Sequence, residues 1–193
     1  EVLKYFHEYF QSKLVFYSTD YVFDGESGPY TETDKRNAIS VYGRSKVIVE
    51  EWIEKNSPQS LILRTTGVYD YTPGSKNFVM QMLELWSQGK TVKVVSDQIA
   101  NPIWAGDIAR ATVDLISKNA AGIYGVAGGS KLLRYEFAKL IANVFEFKNA
   151  IIEPITTASM NHKAKRALKG GLKIEKLFKE IGWVPMDARS GLV

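Results

Sequence analysis

Lys13-Leu14-Val15-Phe16-Tyr17-Ser18 decides how this chain folds. It is a short apolar run without the alternation of a half-exposed strand, and it reads as a buried strand of a parallel sheet. Outward from it, residues 19–37 are polar and turn-rich, broken by Asp24-Gly25 and Gly28-Pro29. Residues 40–55 then repeat with helical spacing. Val41, Ser45, Ile48 and Trp52 fall on one face, and Asn56-Ser57-Pro58 ends the pattern. Ser60-Leu61-Ile62-Leu63-Arg64-Thr65 is a second apolar run. Strand, long helix, strand in that order is half of a doubly wound α/β sheet.

Beyond Thr66 the alternation loosens. Helices are expected over 77–88, 107–118, 133–147 and 173–181, and strands over 91–96, 122–126 and 151–153. Residues 2–10 also read as a helix, already under way where the chain begins. This irregular second part suits a smaller lobe interwoven with the sheet.

Composition narrows the chemistry. The 193 residues are 45% hydrophobic and 24% charged, as in ordinary globular domains, and no apolar run is long enough to span a bilayer. Cysteine is absent, which excludes disulfides and thiolate metal sites and fits a cytoplasmic setting. Two histidines, His7 and His162, give poor material for a serine–histidine triad or a histidine metal site. The net charge of +4 is spread too thinly for a nucleic-acid surface.

Tyr42-Gly43-Arg44-Ser45-Lys46 is the central chemical candidate. Residues four apart share one helix face, so the phenol and the ammonium can meet one ligand. A free phenol titrates near 10, and a neighbouring cation favours its ionised form. Such a tyrosine can hand a proton to a carbonyl oxygen. Spacing alone is weak, because Tyr9/Lys13 and Tyr135/Lys139 repeat it; those two read as packing tyrosines beside solvated lysines. Context singles out Tyr42. Ser18-Thr19-Asp20 ends the preceding strand, and ligands of open parallel sheets bind beyond the carboxyl ends of strands. A hydroxyl there can hydrogen-bond the same carbonyl oxygen. Glu32, Asp34 and Glu50 read as surface or structural residues rather than as an acid–base set, and Trp52, Trp86, Trp104 and Trp183 as packing. Gly122, Gly125 and Gly128 have the spacing of a dinucleotide loop, but no βαβ unit surrounds them, so they read as a turn.

Taken together, Ser18-Thr19-Asp20-Tyr21-Val22-Phe23-Asp24-Gly25, Pro29-Tyr30-Thr31-Glu32 and Val41-Tyr42-Gly43-Arg44-Ser45-Lys46 resemble the extended short-chain dehydrogenase/reductase family, most of all its dTDP-4-dehydrorhamnose reductase branch. The likeness continues through Leu63-Arg64-Thr65-Thr66-Gly67-Val68-Tyr69, Lys76-Asn77-Phe78, Asp97-Gln98-Ile99-Ala100-Asn101-Pro102, residues 122–129 and Ala164-Lys165-Arg166. It implies an NAD(P)-binding Rossmann-like sheet, represented by its C-terminal portion over residues 1–66 with 101–120 packed on it. Residues 67–100 and 121–193 would form a substrate-binding lobe. The N-terminal βαβ units and the glycine-rich loop are expected upstream of Glu1, so the 193 residues alone should turn over little. The implied reaction is reduction by NADPH or NADH of the 4-keto group of a nucleotide-linked deoxysugar, in dTDP-rhamnose biosynthesis.

The resemblance also implies roles. Thr19, Tyr42 and Lys46 are catalytic: Tyr42 is the acid, Lys46 holds the nicotinamide ribose, and Thr19 orients the keto group. Ser18, Thr65 and Thr66 lie by the cofactor with them. Tyr21, Asn77, Asp97 and Arg166 lie by the sugar nucleotide, Arg166 at its diphosphate. The implied partners are that nucleotide sugar and a second copy of the chain, with no nucleic acid and no membrane. Gly67 departs from the tryptophan common in these reductases, and Val49, Ala167 and Lys169 also depart from the usual residues. Two other outcomes stay open: a regulatory subunit of a methionine adenosyltransferase, which shares the Asp-Tyr-Val-Phe-Asp-Gly motif, and a sugar-nucleotide epimerase. A dehydratase adds an acid–base pair beside the threonine; Asp20-Tyr21 stands there, which argues for simple reduction.

Overall fold

The computed structural model describes residues 4, 5, 9, 12–160 and 164–193. Most of the helix expected over residues 2–10, together with His7 and His162, lies outside them. The two apolar runs form β1 (Val15–Thr19) and β2 (Leu61–Thr65), joined by helix α1 (Val41–Asn56). They pair in parallel with Val15 opposite Leu61 and Thr19 opposite Thr65, so both strands end at the same edge. Strand β7 (Gly122–Gly125) pairs in parallel with the other side of β2, giving the order β1-β2-β7.

Alternation along β2 sorts its side chains between two faces. Leu61 and Leu63 are fully buried in a cluster with Ile108, Ala111 and Leu115 of helix α3 (Ala105–Ser117) and Leu177 of helix α5 (Glu175–Ile181). Arg64, of opposite parity, meets α1 instead. The sheet layer thus draws in residues 122–125 and 175–181, which had been assigned to the lobe. The boundary shifts because β7 finds its hydrogen-bond partners on β2 and α5 finds its apolar ones beneath it.

The second layer is a lobe with its own core. Helix α2 (Phe78–Ser87), helix α4 (Arg134–Val144) and the parallel pair β4 (Val92–Val95) and β9 (Ile152–Ile155) bury Val79, Met82, Trp86, Val94, Phe137 and Ile141 together. Four two-residue strands stitch the layers: β3 (Val68–Tyr69) with β6 (Ile103–Trp104), and β5 (Ile99–Ala100) with β8 (Leu132–Leu133). Segments that short carry no period, so the sequence did not announce them.

One orientation reverses expectation. On α1 the stripe that includes Val41 and Ile48 faces outward, 75% and 66% exposed, whereas Gly43, Glu50 and Ile53 are buried. An ion pair under the helix, described below, sets its rotation. Among the described residues no helix is long and apolar enough to cross a membrane.

Candidate active site

Thr19 closes β1 and caps the following 3-10 turn, Asp20–Val22, its Oγ1 accepting the Tyr21 N–H at 3.2 Å. The Thr19 hydroxyl reaches Asp20 Oδ1 only at 3.4 Å. That is a long bond for a hydroxyl donor, and its proton is easily redirected to a ligand. Ser40 caps α1 by accepting the Gly43 N–H, which places Tyr42 in the first turn. The helix rests directly on the 3-10 turn: a Cβ on Gly43 would come within 2.1 Å of the Tyr21 carbonyl oxygen. Gly43→Ala must therefore push α1 off its seat. A loss of about 1–3 kcal/mol is expected from overpacking, read as a fall in Tm, together with reduced turnover as Tyr42 moves.

Beneath α1, Glu50 is 0% exposed and Arg64 1%. Arg64 gives Glu50 two parallel hydrogen bonds, from Nε at 3.0 Å and Nη2 at 2.7 Å, and Arg36 adds a third at 3.2 Å. The Ser18 hydroxyl donates to the same carboxylate at 2.5 Å. Glu50 is on α1, Arg64 on β2 and Ser18 on β1, so one buried carboxylate ties together the three elements that carry the expected chemistry. Glu32 is structural too, its Oε1 accepting the Gly125 N–H at 2.8 Å.

These elements form one wall of a cavity of about 310 Å³. Ser18, Thr19, Asp20, Tyr21, Tyr42, Thr65 and Thr66 line that side; Phe78, Gln98, Leu132, Arg134 and Phe137 line the lobe side. The structure thus gathers Ser18, Thr19, Tyr21, Tyr42, Thr65 and Thr66 around one space. Tyr42 is 51% exposed, with its ring edge-on to Tyr21 at 6.1 Å, and its hydroxyl has no partner among the described residues. Lys46 stands at the flank of the cavity rather than in its lining. Its Nζ donates to the Tyr17 carbonyl at 2.9 Å and lies 5.8 Å from the Tyr42 ring centroid. The other two tyrosine–lysine pairs stay apart from this cavity: Lys139 lies over the Tyr135 ring, and Lys13 bonds the Ala120 carbonyl.

Two expected ligand residues are placed elsewhere. Asn77 caps α2, accepting the Met80 N–H and donating to Asp70 and Ser75. Asp97 accepts the Thr157 N–H and hydroxyl, bonds that hold its carboxyl below the usual range despite some desolvation. Neither lines the cavity, because other backbone and side-chain groups already take up their polar atoms. Arg166 is exposed near the mouth, its Nη1 3.5 Å from the Tyr21 hydroxyl. The rejected glycines prove to be points of close backbone approach: a Cβ on Gly128 would lie 2.0 Å from the Pro102 carbonyl oxygen, and one on Gly125 2.5 Å from that of Lys173.

Among the described residues Asp20 is the sole carboxylate lining the cavity, and it is already engaged. It is buried, accepting the Gly171 N–H at 3.2 Å and a bond from Thr66. Burial raises its pKa, against the opposing pull of those hydrogen bonds. A raised native value contributes stability below the unfolded value of 3.8, lost as pH rises through the native value. Asp20→Asn should therefore compare more favourably with the parent protein at about pH 7 than at about pH 3 in urea denaturation. A difference independent of pH would contradict this.

Of the lobe wall, Phe78 and Gln98 stand in quoted motifs without an expected role, and Arg134 stands in none. Arg134 had a signal: it is the first residue of α4, where a cation opposes the helix dipole. A residue that breaks a local rule often marks a site.

With this geometry in hand, residues 7–193 match the family model described as the RmlD substrate binding domain. This chain belongs to the RmlD substrate-binding domain family. RmlD-family relatives include dTDP-4-dehydrorhamnose reductase of Aggregatibacter actinomycetemcomitans, 35% identical over 94% of this chain and 65% of that protein. Spore coat polysaccharide biosynthesis protein SpsK of Bacillus subtilis is 36% identical over 94% of this chain and 62% of its own length. Among solved structures, dTDP-4-dehydrorhamnose reductase of Bacillus anthracis in complex with NADP superposes with a TM-score of 0.87 at 29% identity, covering 94% of this chain and 64% of that one. The chain thus spans less than two thirds of each of these proteins. The Rossmann-type α/β class is common to the reductases and to more distant dehydratases, such as that of B. anthracis in complex with NAD.

Proposed function

We propose that this chain supplies the proton-donating and substrate-binding part of an NADPH-dependent reductase acting on the 4-keto group of a dTDP-linked deoxysugar. The observation that carries the reading is the shared cavity. The Thr19 hydroxyl at the end of β1 and the unpartnered Tyr42 hydroxyl at the start of α1 border one space. A carbonyl oxygen placed there can accept a hydrogen bond from Thr19 and a proton from Tyr42.

The residues present also suit a nicotinamide. Thr65 Oγ1 is buried at the cavity without a hydrogen-bond partner among the described residues, an orphan that a bound polar group would satisfy. Thr65, Ser18, Tyr42 and Lys46 would hold that group, and NADPH when bound supplies hydride. Lys46 can exchange its bond to the Tyr17 carbonyl for a ribose hydroxyl without leaving the flank of Tyr42. Asp20 is committed to Gly171 and Thr66, which leaves no free carboxylate for dehydration or epimerisation among the described lining residues. Residues 67–100 and the later segments around α4 would make up the substrate-binding lobe.

The test is NADPH oxidation by the intact protein that carries this chain, with dTDP-4-dehydrorhamnose as acceptor. Turnover that needs both compounds supports the reading. A rate no higher than without enzyme, or copurification with a methionine adenosyltransferase whose activity it alters, would reject it.

A further inference from the structure

Arg134 is the conspicuous residue that this reading does not use. It lines the cavity from the lobe side, part of it exposed to solvent, with its guanidinium 4.1 Å from the centroid of the Phe78 ring. Among the described residues no carboxylate pairs with it, and no side-chain or backbone acceptor takes a hydrogen bond from its guanidinium. Burial pushes its pKa down; Tyr21 opposes that shift, and the nearby Arg166 cation adds a smaller push downward. Its place at the start of α4 sets it against the helix dipole as well. A like charge and an opposing dipole thus bear on a cation that has no acidic partner among the described residues. Packing on Phe78 returns little against them. Helix capping does not need the charge, since Glu136 already accepts the Leu133 N–H.

We infer that Arg134 is a specificity-determining residue that receives a phosphoryl oxygen of a nucleoside diphosphate, facing Arg166 across Tyr21. The inference rests on the proposed function and adds to it a residue that the motifs did not mark. A guanidinium offers a planar fork of donors matched to two phosphate oxygens, and stacking on Phe78 fixes the plane of that fork. Two cations around one phenol suit the charge of a diphosphate better than the single charge of a carboxylate. An anion bound there relieves the repulsion between the two arginines and supplies the missing acceptors.

Calorimetric titration of the intact protein with thymidine diphosphate, thymidine and glucuronate separates the outcomes. Arg134→Met should weaken thymidine diphosphate about 10- to 100-fold and leave thymidine within about twofold, the loss expected for charge-assisted hydrogen bonds. Arg134→Lys, which keeps the charge and the fold but not the fork, should fall between. Unchanged diphosphate affinity in Arg134→Met, with loss in Arg166→Met, would overturn the inference and spare the proposed function. Tighter binding of glucuronate than of thymidine diphosphate would overturn it in favour of a carboxylate ligand. Absence of diphosphate binding in the unmodified protein would remove the proposed function and the inference together.

Discussion

Tyr42→Phe in the intact protein should lower kcat by about 100- to 10,000-fold, the range for a positioned proton donor. KM should stay within a few-fold. The substitution removes a hydroxyl that has no partner among the described residues and keeps the ring that meets Tyr21. Half of the side chain is already in solvent, so the fold should not register the change. Thermal unfolding should be unaltered, which separates a chemical loss from a structural one. A variant that retains its rate would remove Tyr42 from the chemistry. Thr19→Val offers a graded comparison, because orienting an oxygen contributes less than protonating it.

The largest effect on stability should come from Glu50→Ala. It strands Arg64, 1% exposed, without its bidentate partner and deprives Ser18 and Arg36 of their acceptor. Breaking a buried pair from one side costs about 3–5 kcal/mol. Whole domains are stable by only about 5–15 kcal/mol. Much of the folded population should therefore be lost on modest warming, as urea titration or calorimetry would show. Replacing Glu50 and Arg64 together by leucine and methionine should cost less than Glu50→Ala alone, because no uncompensated charge is left behind. If the double replacement proves worse, the pair acts through the hydrogen bonds to Ser18 and Arg36 more than through its own charge.

The sheet half of the molecule was legible because its elements are long and strongly patterned. The run beginning at Ser60 became β2 from Leu61 on, the run beginning at Lys13 became β1 shifted to Val15–Thr19, and Ser40 capped the helix between them. Thr19 and Tyr42 were found from the order of the elements, since a strand end and the first turn of the next helix must meet at one edge of a parallel sheet. The rotation of α1 was not legible. Apolar spacing favoured the face with Val41 and Ile48, but the buried face is held by Glu50, a residue that a polarity pattern assigns to solvent until its partner on β2 is known. Asn77 and Asp97 illustrate a different loss. Both are polar residues in a recognisable motif, yet their atoms serve backbone and side-chain groups away from the cavity, which only coordinates reveal. Two-residue strands such as β5 and β8 carry too little pattern to be read, and it is they that bring Gln98 and Arg134 to the cavity.

The carboxylate under α1 has a mechanical corollary. Strand, helix and strand are riveted at one point, so the wall that carries Thr19 and Tyr42 behaves as an anvil with little play between its parts. Whatever tightening accompanies ligand capture then falls to the opposite jaw, where Phe78, Gln98 and Arg134 ride on short strands and helix ends. Adaptation to different sugars would accordingly accumulate in that jaw while the anvil stays fixed.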